Sequence, residues 1–296
     1  INLFRLRHAF VRLSWGKTQL LTGQYWNPMF VPSCFPNTIS FNSGTPIQPF
    51  ARNPQIRLTQ NFGKIKILAA ALSQRDYPNR IDNKASSKYL RNSGTPDMHI
   101  QVHYESSQWI TGGGIAYKAI VPRLSTNMNF KTHSSVKGLS AIAFLKLSFK
   151  PLTIKMETIS GQNTTDLLQI SGFATQSVQP QTDRRSYLPL RNLSIWTDIH
   201  TNGKNTQFGL FAGYTKNRGT NKKIINQEDR IFGFGTNIES LYRISPRVQF
   251  NSGSLRFALE GEYTVANFGK DYNAYAVPIN NTKEANIRLL LSTYYF

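Results

Sequence analysis

The sequence predicts an all-β fold: a transmembrane antiparallel β-barrel forming a single domain over 1–296. Four observations carry it. Apolar and polar residues alternate with period two in one segment after another. The links between these segments are alternately short and long. The longest apolar run, Ile67–Leu72, falls far short of the roughly 20 residues a spanning helix requires. Aromatics at 12% (13 Tyr, 19 Phe, 4 Trp) suit the girdles of a barrel.

The elements follow in chain order. Met98, Ile100, Val102 and Tyr104 fall on one face of a strand, and His99, Gln101, His103 and Glu105 on the other, because side chains alternate across a pleated strand. Leu152, Ile154 and Met156 oppose Thr153, Lys155 and Glu157; Phe208, Leu210, Ala212 and Tyr214 oppose Gln207 and Thr215. Tyr242, Ile244, Val248 and Phe250 oppose Arg243, Ser245, Arg247 and Gln249, and Leu255, Phe257, Leu259 and Tyr263 oppose Arg256, Glu260, Glu262 and Thr264. A soluble sandwich would alternate in the same way, so the links discriminate. The tight ones lie at 14–17, 63–64, 106–108, Pro151, 202–205 and 251–254, several with the Gly or Asn that positive φ favours. Long polar loops lie between them at 27–53, 75–97, 124–137, 162–191, 217–229 and 267–283. Short turns at one end and long loops at the other are the asymmetry of an outer-membrane barrel.

The closing Leu290-Leu-Ser-Thr-Tyr-Tyr-Phe296 resembles the C-terminal signal strand of bacterial outer-membrane proteins, which runs down to the periplasm. All short turns are then periplasmic and all long loops extracellular, in the outer membrane of a Gram-negative cell. About thirteen strands result, and the first already runs downward; since single-chain bacterial barrels have an even number, one or three N-terminal strands are expected before Ile1. The absence of an initiator Met and of a signal segment agrees with a processed or incomplete chain. The last strand is ambiguous: Ile287, Leu289, Leu291, Thr293 and Tyr295 are the more apolar set, yet the terminal signal favours Tyr294 and Phe296 outward. A bulge or an intersubunit location would reconcile them.

Residues 5–60 carry a family resemblance. Arg5-Leu-Arg-His-Ala-Phe-Val-Arg-Leu13, Leu21-Thr-Gly-Gln-Tyr-Trp26, Phe35-Pro-Asn-Thr-Ile-Ser-Phe-Asn42 and Arg52-Asn-Pro-Gln-Ile-Arg-Leu-Thr59 resemble successive motifs of the DcaP-like trimeric porins. Leu241–Val248, Leu255–Tyr263 and the closing strand are similar to that family's last three strands. The resemblance implies a sixteen-stranded barrel, a homotrimer and passage of small anionic solutes such as dicarboxylates. One departure concerns the loop after the Trp-containing strand, which in the family bears acidic residues. Asn27–Pro36 has none, so the mouth should repel anions less.

The formal net charge of +20, from 35 basic and 15 acidic residues, calls for polyanions, acidic lipid headgroups or small anions as partners. The strand pattern argues against nucleic acid. Basic residues on the wet faces are the candidate pore lining: Arg57, Lys118, Lys155, Arg243, Arg247 and Arg256, joined by Arg5 and Arg7. A low-dielectric wall of one sign concentrates the opposite ion, and Arg offers a fork that fits carboxylate or phosphate. The competing reading pairs these charges with Glu105, Glu157, Asp198, Glu260 and Glu262, but 15 acids cannot neutralise 35 bases. Loop 162–191 or loop 27–53 is expected to fold inward and constrict the pore. Arg184 and Arg185 in the first read equally as solute contacts or as a solvated charge run. Lys216, Arg218, Lys222 and Lys223 read as facing lipopolysaccharide or water.

Enzyme chemistry finds little support. His99 and His103 would chelate on a helix, but on a strand they stand ~13 Å apart, so no metal is expected. No Ser-His pair is marked by spacing, and Gly112–Gly114 lacks the context of a phosphate loop and reads as a strand with small residues. Cys34, the one cysteine, excludes a disulfide framework and reads as incidental. No cofactor is implied. The function expected is a porin, a passive channel for small anionic solutes. The alternatives are a barrel serving as a structural or accessory subunit of a larger outer-membrane assembly, and a soluble basic β protein that binds polyanions.

Overall fold

The computed structural model describes residues 7–81, 84–225 and 231–295. Thirteen strands form one antiparallel sheet, each hydrogen-bonded to its neighbours in chain order. They are β1 (Ala9–Trp15), β2 (Thr18–Trp26), β3 (Arg52–Phe62), β4 (Ile65–Leu72), β5 (Asp97–Glu105), β6 (Trp109–Ile120) and β7 (Val136–Ser148). There follow β8 (Leu152–Gln162), β9 (Arg191–Thr201), β10 (Thr206–Gly219), β11 (Ile238–Ser252), β12 (Leu255–Phe268) and β13 (Thr282–Tyr295). β1 and β13 are the two edges of this sheet.

The wall is inside out relative to a soluble sheet. On β5 Met98, Ile100, Val102 and Tyr104 are exposed while Asp97, His99, Gln101 and His103 are buried. The same inversion holds on β3, where Ile56 is 61% exposed beside Gln55 at 5%, and on β11, where Tyr242 and Ile244 are exposed beside Arg243 and Arg247. Alternation of the pleat therefore sorts an oily outer face from a polar inner one. Hairpins β1–β2, β3–β4 and β11–β12 turn on Gly16, Gly63 and Gly253, whose φ of 55°, 64° and 57° most side chains avoid. These turns share one end with those at 106–108, 149–151 and 202–205, and every long link lies at the other.

Loop 27–51 shows that the sheet curls. Cys34 Sγ lies 3.4 Å from the Leu145 carbonyl on β7 and 3.7 Å from that of Met156 on β8. Further along, the Tyr294 hydroxyl on β13 donates to the Ile39 carbonyl at 2.8 Å. One loop can reach β7, β8 and β13 together only if the wall bends around it. Met29, Val31, Cys34 and Ile47 form a small apolar core inside the wall with Ile142, Phe144, Ile159, Trp196 and Phe211. Gly112 leaves room for the Phe144 ring and Gly114 for Gln101, so the glycine run is a strand packed closely on its inner side.

At the long-loop end a second sheet covers part of the rim, with Ser171–Gln179 between Arg184–Pro189 and Ile231–Phe234. Ile231–Phe234 pairs there instead of extending the wall, so the link after β10 runs on to Ile238 rather than ending near 229. β13 pairs with β12 in unbroken register, and its odd-numbered set faces outward, Leu291 at 79% exposure and Tyr295 at 81%. Tyr294 faces inward without any bulge; Phe296 lies outside the described residues. No helix among the described residues is long and apolar enough to cross a membrane.

Candidate functional site

Loop 27–51 leaves β2 through a closed neck. Asn27 N donates to the Ala51 carbonyl at 3.0 Å, and Asn27 Nδ2 donates to Asn53 Oδ1 at 2.9 Å. The far end is pinned to the opposite wall. Glu260 Oε2 accepts from Ile39 N at 2.8 Å and its Oε1 from Ser43 Oγ at 2.8 Å, while Arg243 donates to the Ser43 and Thr45 carbonyls at 2.6 Å each. Lys155 Nζ holds the middle, donating to the Phe35 carbonyl at 3.0 Å. Charged donors and acceptors make the stronger hydrogen bonds, so this clamp fixes the loop across the lumen. The segment 163–168 of loop 162–191 also enters. Asp166 forms an ion pair with Lys118, and the Leu167 carbonyl accepts from Phe50 N at 2.9 Å, tying the two inserted segments together.

The basic residues expected to line the pore separate into two groups. Lys118, Arg243 and Arg247 are buried and paired. Arg247 grips Asp198 through two bonds of 2.7 and 3.0 Å, with His200 Nδ1 3.0 Å from the same carboxylate. The guanidinium lies over Gly209, where a Cβ would come within 2.4 Å of it. Arg243 Nε stands 3.4 Å from Glu262, which also receives Arg288 at 2.6 Å. Arg256 binds Asn251 Oδ1 at 2.8 Å near the short-turn end. Ion pairing thus claims part of the expected ladder, as the competing reading anticipated.

Arg57 and Lys155 are different: among the described residues neither has a carboxylate within ion-pair distance. Arg57 donates to Gln55 Oε1 at 2.9 Å and to the Trp26 carbonyl at 2.5 Å, and lies 5.5 Å from the Tyr25 ring centroid. Arg12 on β1 lies 5.7 Å from that same ring. Lys155, also buried, stands directly across from Lys146 on β7 and, on its other side, from Asp198 on β9, whose carboxylate is held by Arg247. Like charges opposed in this way destabilise a sheet, and a lumen is where they find water or anions. Sequence reading passed over Arg12, although Val11, Leu13 and Trp15 on the outward face fix its inward direction by period two. Lys66, bonded to Glu105 at 2.6 Å, was passed over as well. Arg7 precedes β1 and is exposed; Arg5 lies outside the described residues.

Arg184 and Arg185 lie at the tip of the hairpin formed by Ser171–Gln179 and Arg184–Pro189 rather than in the segment that enters the lumen. Arg185 Nε donates to Asp183 Oδ1 at 3.1 Å, and Arg184 packs 6.0 Å from the Phe130 ring. Arg123 also binds Asp183 at 2.7 Å, joining the hairpin to loop 121–135. That hydrogen bond, helped by those from Asn127 and Arg185, holds the Asp183 carboxyl down at about 2. No cluster of three metal-binding side chains occurs among the described residues; His99 sits 3.2 Å from Gln101 Oε1, and His103 packs on Phe144.

No family model matches the chain, and no curated protein matches it. Solved structures do. The outer membrane channel DcaP of Acinetobacter baumannii superposes with a TM-score of 0.72 at 13% identity, over 99% of this chain and 75% of that one. Outer-membrane expressed OmpT of Vibrio cholerae gives 0.55 at 10% identity, over 98% and 81%. An anion-selective porin from Comamonas acidovorans gives 0.56 at 10% identity, over 98% and 78%. These neighbours are outer-membrane proteins, and the fold of the chain is the porin fold. It is the DcaP-like fold that the motifs in residues 5–60 imply.

Proposed function

We propose that the chain forms an outer-membrane porin through which small anions diffuse, with selectivity set by Arg12, Arg57, Lys146 and Lys155. The observation that carries the reading is the gathering of like charges on the inner wall with no carboxylate in ion-pair contact among the described residues: two guanidiniums around Tyr25, and two ammonium groups facing each other across β7 and β8, where the Asp198 opposite Lys155 on β9 is held by Arg247. A folded protein keeps such pairs at a cost unless their field is used, and a narrow low-dielectric lumen turns that field into anion enrichment. Loop 27–51 forms the constriction, since it crosses the lumen between these two stations. Lys118, Arg243 and Arg247 serve as struts. The anion-selective neighbour and the acid-free stretch Asn27–Pro36 support the same reading.

The exposed apolar belt suits contact with membrane lipid, and the rim basic residues suit contact with lipopolysaccharide. Trimers of this fold support a homotrimer. The test is the zero-current potential of the purified protein in a planar bilayer under a KCl gradient. Anion preference is expected, and it should fall in the Arg57→Gln and Lys155→Gln variants. Cation preference would refute the reading; no conductance would favour a structural subunit.

A further inference from the structure

Beyond charge, the lumen carries a continuous band of aromatic surface. Tyr25 and Trp26 are linked through His8, whose ring lies 5.3 Å from the first and 4.8 Å from the second. Trp26 stacks on Phe41 at 6.2 Å with the planes 19° apart, and Phe41 meets Phe35 at 6.1 Å. Phe30 and Phe50 are buried behind these rings and back them. The front rings keep open surface: Phe41 is 37% exposed, and Tyr25, Trp26 and Phe35 are half-buried.

The ends of the band are cationic. Arg12 and Arg57 flank Tyr25, and Lys155 Nζ lies 5.4 Å from the Phe35 ring. Core filling does not explain this arrangement, because a filler would be covered, as Phe30 and Phe50 are, whereas Phe41 stays 37% exposed. Open ring faces attract flat apolar groups by offset stacking, and flanking cations attract a carboxylate. Together they fit a solute that carries both.

We propose that the band Tyr25–Trp26–Phe41–Phe35 is a binding track for aromatic carboxylates, which move between the Arg12/Arg57 and Lys155 stations with the ring on the track. This rests on the anion-passing reading above and adds a preference within it.

Block of chloride current in a planar bilayer tests the proposal, with benzoate, cyclohexanecarboxylate and acetate as probes. The two rings have nearly the same size and charge, and only benzoate has a π-face. Wild-type protein should be blocked by benzoate at a concentration about three- to tenfold lower than by cyclohexanecarboxylate, and acetate should be weakest. Phe41→Leu and Trp26→Leu should each bring benzoate toward cyclohexanecarboxylate. Phe208→Leu on the outer face should leave the difference intact. Equal block by the two ring acids in the wild type, or a difference that survives both track variants, would overturn the track. Cation preference in the KCl gradient would remove the track together with the reading beneath it, so the two failures are distinguishable.

Discussion

The wall from β1 to β5 and the wall from β8 to β13 present the same residue types inward but use them differently. In the second, Arg247 is locked to Asp198, Arg243 and Arg288 share Glu262, and Glu260 clamps the inserted loop. In the first, Lys66 pairs with Glu105 and Arg52 with Asp76, but Arg12 and Arg57 crowd one tyrosine ring with no carboxylate in ion-pair contact among the described residues, and His99 and His103 follow along β5. An inward arginine is therefore no measure of the field in a lumen; its partner decides. A buried paired charge holds geometry, because its partner cancels the field at a distance and breaking the pair strands a charge. A half-exposed unpaired one attracts mobile ions.

The largest effect should come from breaking the paired wall. Arg247→Ala leaves the wholly buried Asp198 without its main partner, and a loss of about 3–5 kcal/mol is expected, read as a lower thermal transition of the folded barrel in detergent. Gly209→Val should act the same way by pushing the guanidinium aside. If Arg247→Ala leaves the transition unmoved, the strut assignment is wrong.

Next in size is release of the loop. Glu260→Ala removes two hydrogen bonds to a charged acceptor, worth about 1.5–3 kcal/mol each, from the clamp on residues 39–43. Cys34, on the loop itself, is fully buried against the β7 and β8 wall and reports on the loop's seating. Its thiol should resist maleimide in the wild type and react faster in the variant, with larger single-channel conductance. Unchanged labelling would mean that other contacts hold the loop.

The unpaired arginines of the first wall should behave oppositely. Arg57→Gln is expected to reduce the anion-to-cation permeability ratio by roughly two- to fivefold, more at low salt, with little change in the thermal transition. A stability loss as large as that of Arg247→Ala would erase the contrast between the walls.

The smallest effect concerns the rim. Asp183 is held at about 2, below its ordinary value, so the Arg123–Asp183–Arg185 link contributes stability that is fully present above the ordinary carboxylate range and is lost as pH falls through about 2. Proteolysis at hairpin 180–183 by an acid-tolerant protease should rise between pH 4 and 2, and Asp183→Asn should abolish that rise.

Much of this was legible in the sequence. Period-two alternation fixed the inward direction of Arg57, Lys155, Arg243 and Arg247, and the order of short and long links fixed the end at which each loop lies. Arg12 could have been read by the same rule from Val11, Leu13 and Trp15. The pairing of Arg247 with Asp198 could not, because those residues are 49 apart and meet only through the registers of β9, β10 and β11. Nor could the inward apolar patch of Ile142, Phe144, Ile159 and Phe211 be foreseen, since polar lining is the rule until a loop arrives to cover it.

By itself the sequence determined the strands, their two faces and the sidedness of the connections, because pleat and turn geometry are local and leave a mark every second residue. Only the tertiary structure decided which cations are cancelled, which loop crosses the lumen, where Arg184 and Arg185 point and which way the last strand faces. Each of those depends on how far the sheet curls and on how strands distant in sequence come into register, and neither has a local signature.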